Sequence, residues 1–563
     1  MSNDLAISGD TAKSHEAAGV PSPSGRLDCW KEIAAYLKYS ERTVRRWEKE
    51  GLPIHRHAHK KKAAIYAYKA EIDGWWNDGR VRLEELERSR SVQEKRWSAR
   101  VGAVLIVAVL VVAAIIVLAT GRLRDRLLHR TAPPHIQSIA VLPLENLSRD
   151  PDQEYFAEGM TDELITNLAQ IGALRVISRG SVLTYKGKHT STPVIGRELK
   201  VDALVEGTVL RSGDRVRITA QLIDAKTDRH LWAETYERDL RDVLALQDEV
   251  AQAIADEIKI KLTPREQMLL STHRPVNPVA HESYLRGLYE LHGMTAETSE
   301  DQRLQSVQKA IGFFQQAIAQ DPNDALAYSG LADGYRDLST GFRAPLDVMP
   351  KAKVAALKAI ELDDSIAEAH AALGSVEFAF DWDWPRAGQE FRRALELNPN
   401  LPQAHADYGE YLLMVNGRTD ESIQELQRAY ALDPLLPYSH GNLAWFLFLA
   451  RRYTDAIEAA RKVGNDDHVL ALSYAELGER DRALAAADRA VASTRNPLLL
   501  SKIAAAYALA GRKDKARAML GGIEAQALKR YVCGFNVACA YSALGDKEQA
   551  FAWLEKAFRD HSD

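Results

Sequence analysis

Four short segments of the chain share one pattern. Ala317 to Pro322, Ala359 to Asp364, Ala394 to Pro399 and Ala429 to Pro434 each run from alanine to Asp or Asn. In three of them a proline follows, and their starts lie 42, 35 and 35 residues apart. A period near 34 residues means stacked helix pairs, each burying its apolar face only against its neighbours. From about Pro278 onward strand patterning disappears, and Ala-rich stretches such as Ala504 to Met519 and Val537 to Phe558 continue the theme. Gly374, Gly409, Gly478 and Gly511 stand where tight helix contacts or turns are needed. The expectation over 278–563 is therefore an all-α solenoid of about seven or eight helix pairs, its concave face open to a protein or peptide partner.

The rest of the 563 residues is too long for one further core, so a multidomain chain is expected. A net charge of −5 excludes a polycation, and any nucleic-acid site must be a local basic patch. Three cysteines are too few for a disulfide framework, and Cys533 and Cys539, six apart on a helix, point to different faces. Residues 1–25, rich in Ser, Ala, Gly and Pro, read as a disordered lead, 26–78 as a compact basic domain, and 79–100 as a helical linker.

From Val101 to Ala119 every residue is apolar or glycine. Nineteen helical residues reach about 28 Å, so a transmembrane helix is expected over 101–120. Six basic residues in 81–100 against four in 121–140 favour a cytoplasmic N-terminus, with the C-terminal region periplasmic. The expected location is the bacterial inner (cytoplasmic) membrane, crossed once. Ala132-Pro133-Pro134 then breaks the chain before a mixed α/β domain over 135–265. Its strand candidates are Ile136 to Leu142, Leu174 to Ile177, Ala203 to Leu210, Val216 to Leu222 and His230 to Tyr236. Helices are expected over about 152–170, 194–199 and 243–262.

The basic domain carries the most specific chemistry. Trp30 to Leu37 has helical apolar spacing with Asp28 placed to cap it, Lys38-Tyr39-Ser40 is a short turn, and Ser40 can cap a second helix over Glu41 to Glu50. That helix turns Val44 and Trp47 inward and leaves Arg42, Thr43, Arg45 and Arg46 outward. Two short helices with basic and hydroxyl groups near the start of the second suit entry into the DNA major groove. Arginine pairs bidentately with guanine edges, while threonine and further arginines reach phosphates. Ile54 to His57 and Ala64 to Tyr68 read as a two-stranded wing, with Arg56 on it and Lys60, Lys61 and Lys62 at its tip to meet phosphates. Residues 26–62 hold eleven Lys or Arg against five acids. His55, His57 and His59 alternate, yet no Cys or carboxylate nearby completes a metal site, so hydrogen bonds or phosphate contacts are expected there and no metal.

Three resemblances follow from these residues. Trp30 to Trp76, with W-K-E-I-A-x-Y-L, R-T-V-x-R-W-E and G-L-P-x-H-R-H, resembles the winged helix-turn-helix of the MerR and excisionase type. Residues 136–265, with I-A-V-L-P-L-E-N-L-S, E-Y-F-A-E-G-M-T-D-E-L, V-E-G-T-V and T-A-Q-L-I-D-A, look like a TolB N-terminal-like domain. The region from about 279 resembles a tetratricopeptide (TPR) array. Together they imply a membrane-anchored one-component transcriptional regulator, similar in plan to the CadC and ToxR proteins, with double-stranded DNA and a protein or peptide as partners. Paired half-sites would call for a homodimer. The alternative is an envelope TPR scaffold that assembles proteins. Glu154, Glu158, Asp162 and Glu163 are expected on the solvated face of a helix, and Trp382 and Trp384 as packing within a repeat loop. Phosphate-loop, dinucleotide and H-E-x-x-H motifs are missing from the sequence, so no cofactor and no enzymatic activity is expected.

Overall fold

The computed structural model describes residues 25–56, 65–78, 136–148, 150–270, 276–293, 299–339, 342–435, 437–463 and 466–562. Two compact units divide the chain, residues 1–132 and 133–563.

In the first unit, helix α1 (Trp30–Leu37) and helix α2 (Glu41–Glu48) are joined by Lys38 in the left-handed region at φ 61°. Three strands follow one another in the sheet order β1-β3-β2: β1 (Arg26–Leu27), β2 (His55–Arg56) and β3 (Ile65–Tyr68), all antiparallel. A helix α3 continues from β3 over 69–78. The expected Asp28 cap is corrected. Cys29 is the N-cap, its carbonyl accepting from Glu32 and Ile33, and Asp28 instead pairs with Arg26 Nε at 2.7 Å. The Glu32 carboxylate reaches back to the Asp28 N–H at 2.8 Å and holds the chain entering the helix. Ile33, Ala34, Val44, Leu52, Ile65, Ala67 and Ile72 form the core, and Trp47 lies among Tyr39, Trp75 and Trp76 with ring centroids 4.9, 6.0 and 5.3 Å away.

The second unit begins as a twisted sheet in the order β6-β4-β7-β8-β9, from β4 (Ser138–Val141), β6 (Arg175–Val176), β7 (Ala203–Ser212), β8 (Arg215–Asp224) and β9 (Arg229–Asp239). β4 lies parallel to both β6 and β7, and the β7-β8-β9 meander is antiparallel. A short β5 (Glu145–Asn146), which the pattern did not announce, pairs with β7. Helices α4 (Glu154–Ala169), α5 (Arg179–Leu183), α6 (Thr192–Leu199), α7 (Val243–Glu257) and α8 (Pro264–Leu269) cover it. The expected helix to residue 262 ends five residues earlier, at Glu257.

Then come eight helix pairs among the described residues. These are α9 (Pro278–His292) with α10 (Glu300–Gln320), α11 (Ala325–Ser339) with α12 (Pro345–Leu362), α13 (Ala367–Val376) with α14 (Trp384–Leu397), and α15 (Pro402–Met414) with α16 (Thr419–Leu432). α17 (Pro437–Leu449) with α18 (Tyr453–Val463), α19 (Asp467–Glu476) with α20 (Arg480–Ser493), α21 (Pro497–Leu509) with α22 (Lys513–Ala527), and α23 (Gly534–Leu544) with α24 (Lys547–Asp560) complete the set. The repeated Ala…Asp/Asn spacing has a direct cause. Asp321, Asp363, Asn398 and Asp433 each donate their N–H to the alanine four residues back, at 2.8 to 3.0 Å, closing the last turn. The alanines are buried, so only a small side chain fits there, and proline then stops three of the helices.

First helices of successive pairs pack directly on one another, α9 on α11, α11 on α13, α17 on α19 and α19 on α21, while the second helices show no comparable packing. The stack therefore curves with its first helices on the inner wall. Glycines make the closest approaches. A Cβ on Gly287 or on Gly330 would stand 2.5 Å from Phe314, whose ring is held between α9 and α11. Replacing Gly330 by alanine is expected to cost about 2 kcal/mol despite alanine's better helix propensity, because overpacking outweighs it. A thermal melt that does not move, or rises, would contradict that.

The array also closes on other parts of the unit. Its loops seal the free edge of β6: Asn400 Oδ1 accepts from Val176 N–H at 3.2 Å and Nδ2 donates to the Ala169 and Leu174 carbonyls at 2.9 and 2.8 Å. Ser178 N–H donates to Leu432 O at 2.8 Å, and Ser181 Oγ donates to Asp433 Oδ1 at 2.6 Å. At its far end the last pair meets the third. His561 Nδ1 donates to Phe380 O at 2.7 Å, and Trp382 stacks on His561 and Phe558 at 4.5 and 5.2 Å. Trp382 is thus a contact between distant repeats rather than packing within its own loop, whereas Trp384 is exposed at the start of α14.

Three expectations are corrected by this fold. The run 101–120 lies outside the described residues, and among those described no helix is long and apolar enough to cross a membrane. An apolar run fixes a length, not the element that it forms. The expected fold class with one transmembrane helix gives way to a mostly helical repeat array with a sheet domain, and single-pass residence in the inner membrane is withdrawn with it. The carboxylates of α4 are not a solvated face either. Glu158 and Glu163 are buried, Glu158 pairing with Arg179 at 2.6 Å and with Lys186, because α5 and α9 pack over that side of the helix.

Glu163 accepts from Gln247 and lies 3.7 Å from His281 Nε2. Burial pushes the Glu163 carboxyl up to about 8 and His281 down to about 4. A carboxyl raised in the folded state contributes stability that is complete below its ordinary value and lost as pH rises through 8. The histidine works the other way, losing its contribution as pH falls from about 6.5 toward 4. Of this pair only the glutamate changes between about pH 6.5 and 8.5, so Glu163→Gln should make the fall in melting temperature across that window shallower. Parallel curves for parent and variant would refute the assignment.

Candidate functional site

The outward face of the first unit is built by α2 and the β2–β3 hairpin. Ser40, extended at φ −71° and ψ 148°, accepts the Thr43 N–H at 3.3 Å, and the two hydroxyls are 2.8 Å apart. The cap fixes where α2 starts and occupies Thr43, leaving that hydroxyl half-engaged before any ligand arrives. Val44 is fully buried, which turns the neighbouring positions 42, 45 and 46 outward.

The arginines differ in their freedom. Arg42 is exposed with no ion pair or hydrogen bond among the described residues. Arg45 lies 3.7 Å from Glu41 and 4.9 Å over the Trp30 ring, and Arg46 lies 3.7 Å from Glu50. Both pairs are exposed i,i+4 contacts that water and salt loosen. Arg56 reaches from β2 to Glu48 at 2.6 Å, tying the hairpin to the end of α2. The expected phosphate contacts Lys60, Lys61 and Lys62, with His57 and His59, lie outside the described residues. His55 bonds Glu71 at 2.6 Å and stacks on Tyr66, and among the described residues no group of His, Cys, Asp and Glu is arranged to hold a metal. The structure thus brings Arg42, Arg45, Arg46 and Arg56 onto one helix and its adjoining strand. Tyr36, whose hydroxyl donates to Asp73 at 2.8 Å and is raised by that bond, joins α1 to α3 behind them.

On the repeats, a polar group on the inner wall was not foreseen from sequence. Lys502 of α21 stands 3.4 Å over the Trp445 ring of α17, near Asp466 and His468 at the start of α19. Trp445, Asp466 and Lys502 are 21 to 57 positions apart. A different pair could have been read from the 35-residue period: His370 with Glu390 and His405 with Glu425, each at 2.6 Å. In both, the other ring nitrogen meets a loop carbonyl, so the same brace recurs in consecutive repeats.

With this geometry in hand, similarities to known proteins can be placed. Residues 135–253 match the family described as HilA/YgeH-like transcriptional regulator, second domain, and residues 535–559 match the tetratricopeptide repeat. Over these residues the α/β domain is thus similar to the second domain of a transcriptional regulator. A curated relative, Putative adenylate cyclase 3 of Rhizobium meliloti (strain 1021), is 38% identical over 203 residues, 36% of this chain and 33% of the relative. The chain therefore spans about a third of that protein's length. That relative's name is that of an enzyme, which overturns the expectation of no enzymatic activity as a reading of the sequence. Solved structures similar to it include yeast Tom70, at 17% identity over 56% of this chain and 77% of that one, TM-score 0.34. Pseudomonas aeruginosa pilF is 24% identical over 37% and 95%, TM-score 0.29, and the TPR protein YrrB 18% identical over 43% and 97%, TM-score 0.22.

Proposed function

We propose that the chain is a transcriptional regulator that binds double-stranded DNA through α2 and its neighbouring hairpin, while the repeat array takes a protein or peptide partner. The observation that carries the DNA reading is the outward row on α2, where Arg42 is unpaired among the described residues and the acids facing Arg45 and Arg46 are exposed and 3.7 Å away. The kinship of residues 135–253 with a transcriptional regulator's domain supports the same reading. α2 enters the major groove with Arg42 on base edges, and Arg45, Arg46, Arg56 and the lysines 60–62 reach phosphates. Two half-sites would recruit two copies.

The full chain, incubated with a random duplex pool, should enrich a defined motif, with affinity falling steeply as salt rises. Retention of the pool without enrichment would leave only nonspecific charge binding and defeat the regulator reading. A scaffold that only assembles proteins would retain none of it.

A further inference from the structure

The last helix of the array keeps one apolar side uncovered. Ala550 and Ala557 of α24 are buried and Trp553 is half-buried. A Cβ on Gly534 of α23 would stand 3.1 Å from Ala557 Cβ, so those positions face α23. Phe551, Leu554 and Phe558 follow at i, i+3 and i+7 on the adjoining stripe and are 66%, 39% and 67% exposed. Phe558 rests against Trp382 and still shows most of its surface. Single exposed apolar residues are ordinary, whereas a row of this kind, with two phenylalanines in it, marks an interaction surface. Around the row stand Lys547, Glu548, Glu555 and Arg559, exposed and with no side-chain ion pair or hydrogen bond among the described residues. Lys556 and Asp560 on the same helix, by contrast, pair with each other.

We propose that α24 binds α24 of a second copy of this chain, antiparallel, through Phe551, Leu554 and Phe558. Charge, order and area choose this occupant. The cations Lys547 and Arg559 and the acids Glu548 and Glu555 cancel around the row, so an anionic membrane, a nucleic acid or a highly charged protein gains no net attraction there. The order Phe-Leu-Phe reads the same in both directions. An antiparallel copy therefore sets Leu554 beside Leu554 and Phe551 beside Phe558 about a two-fold axis, the self-complementary arrangement that a closed pair requires. That pairing also brings Glu548 of each copy toward Arg559 of the other, giving both groups a partner of opposite charge. The two Glu555 side chains approach each other across the axis and form the unfavourable pair of the interface. The row offers roughly 300 Å² of apolar side chain per copy. With the flanking chains the pair buries on the order of 1,000 Å², the lower bound for a specific interface, so the dimer is reversible and micromolar. The pairing goes beyond the DNA and peptide-partner readings and depends on neither.

Sedimentation equilibrium of the full chain from about 1 to 100 µM should show a monomer–dimer equilibrium. Phe551→Ser should weaken the dimer at least about tenfold and leave the melting temperature of the monomer in place, because the second copy is what covers that side chain. Glu548→Arg and Arg559→Glu should each weaken it about threefold. The two together should restore most of the parental affinity, because the pair is rebuilt with its signs exchanged. Glu555→Gln, which removes the repulsion at constant size, should tighten the dimer. A chain that stays monomeric to about 100 µM, or a dimer untouched by Phe551→Ser, overturns the proposal. A double charge variant no stronger than either single one overturns the antiparallel arrangement. Flotation with vesicles of phosphatidylethanolamine and phosphatidylglycerol tests the rival occupant. Vesicle binding that is lost in Phe551→Ser, without self-association, would assign the row to a lipid surface and overturn the second copy.

Discussion

Replacing Arg42, Arg45 and Arg46 together by alanine is expected to abolish sequence-preferring DNA binding by the full chain and to shallow its salt dependence. The three contributions are not equal. On the proposed reading Arg42 has no partner among the described residues to give up, so a base contact would be gained in full, and Arg42→Ala alone should cost about 1–3 kcal/mol and relax specificity at one base position. Arg45 and Arg46 exchange weak exposed pairs with Glu41 and Glu50 for phosphates. Losing the two phosphate contacts proposed for Arg45 and Arg46 should lower the slope of log affinity against log salt by about 2. Arg56, already bonded to Glu48 at 2.6 Å, should matter less for affinity and more for the position of the hairpin. A triple variant that binds the enriched duplex as well as the parent would remove α2 from the interface altogether.

The second large effect is structural. Asn400→Ala should destabilise the second unit by about 3–5 kcal/mol, since it strands Val176 N–H and the Ala169 and Leu174 carbonyls in a buried setting. Each orphaned group costs about 1–3 kcal/mol, and they share one site, so the sum is less than additive. The edge of β6 would lose its cover at the same time, and an uncovered strand edge is prone to pairing with other chains. Urea denaturation with a light-scattering readout tests both parts. A midpoint within about 0.5 kcal/mol of the parent, with no added scattering, would show that the loops do not hold the sheet.

What could be read from the sequence was what repeats or alternates locally. The alanines at 317, 359, 394 and 429 announced the helix ends because the chemistry of a last turn is contained within six residues. Ser40 as a cap and the turn before α2 were equally legible, as local hydrogen bonds leave local residue choices. Asn400 was not, although it directly follows one of the recognised segments; its partners lie more than 220 positions away. Glu158 and Glu163 misled for the same reason, since one helix's charges look solvated until other elements cover them. At the candidate DNA surface, sequence placed the arginines together but not their differing freedom, which depends on Glu41, Glu48 and Glu50 in three dimensions. Lys502 and Trp445 carried no signal at all, being brought together only by the curvature of the stack.

The contact of His561 and Phe558 with Phe380 and Trp382 changes the character of the array. A string of helix pairs open at both ends behaves as a one-dimensional chain, in which terminal units fray first and the rest hold on. Here repeats three to eight form a closed circuit, and Arg530, between α22 and α23, also lies 3.6 Å from Glu300 of the first pair. Neither end of the circuit can loosen without opening the junction, and strain from a guest on the inner wall is shared around the loop rather than released at the tip. Bending such a ring to admit a larger partner means breaking one clasp, which gives the wall two discrete widths in place of a continuous range.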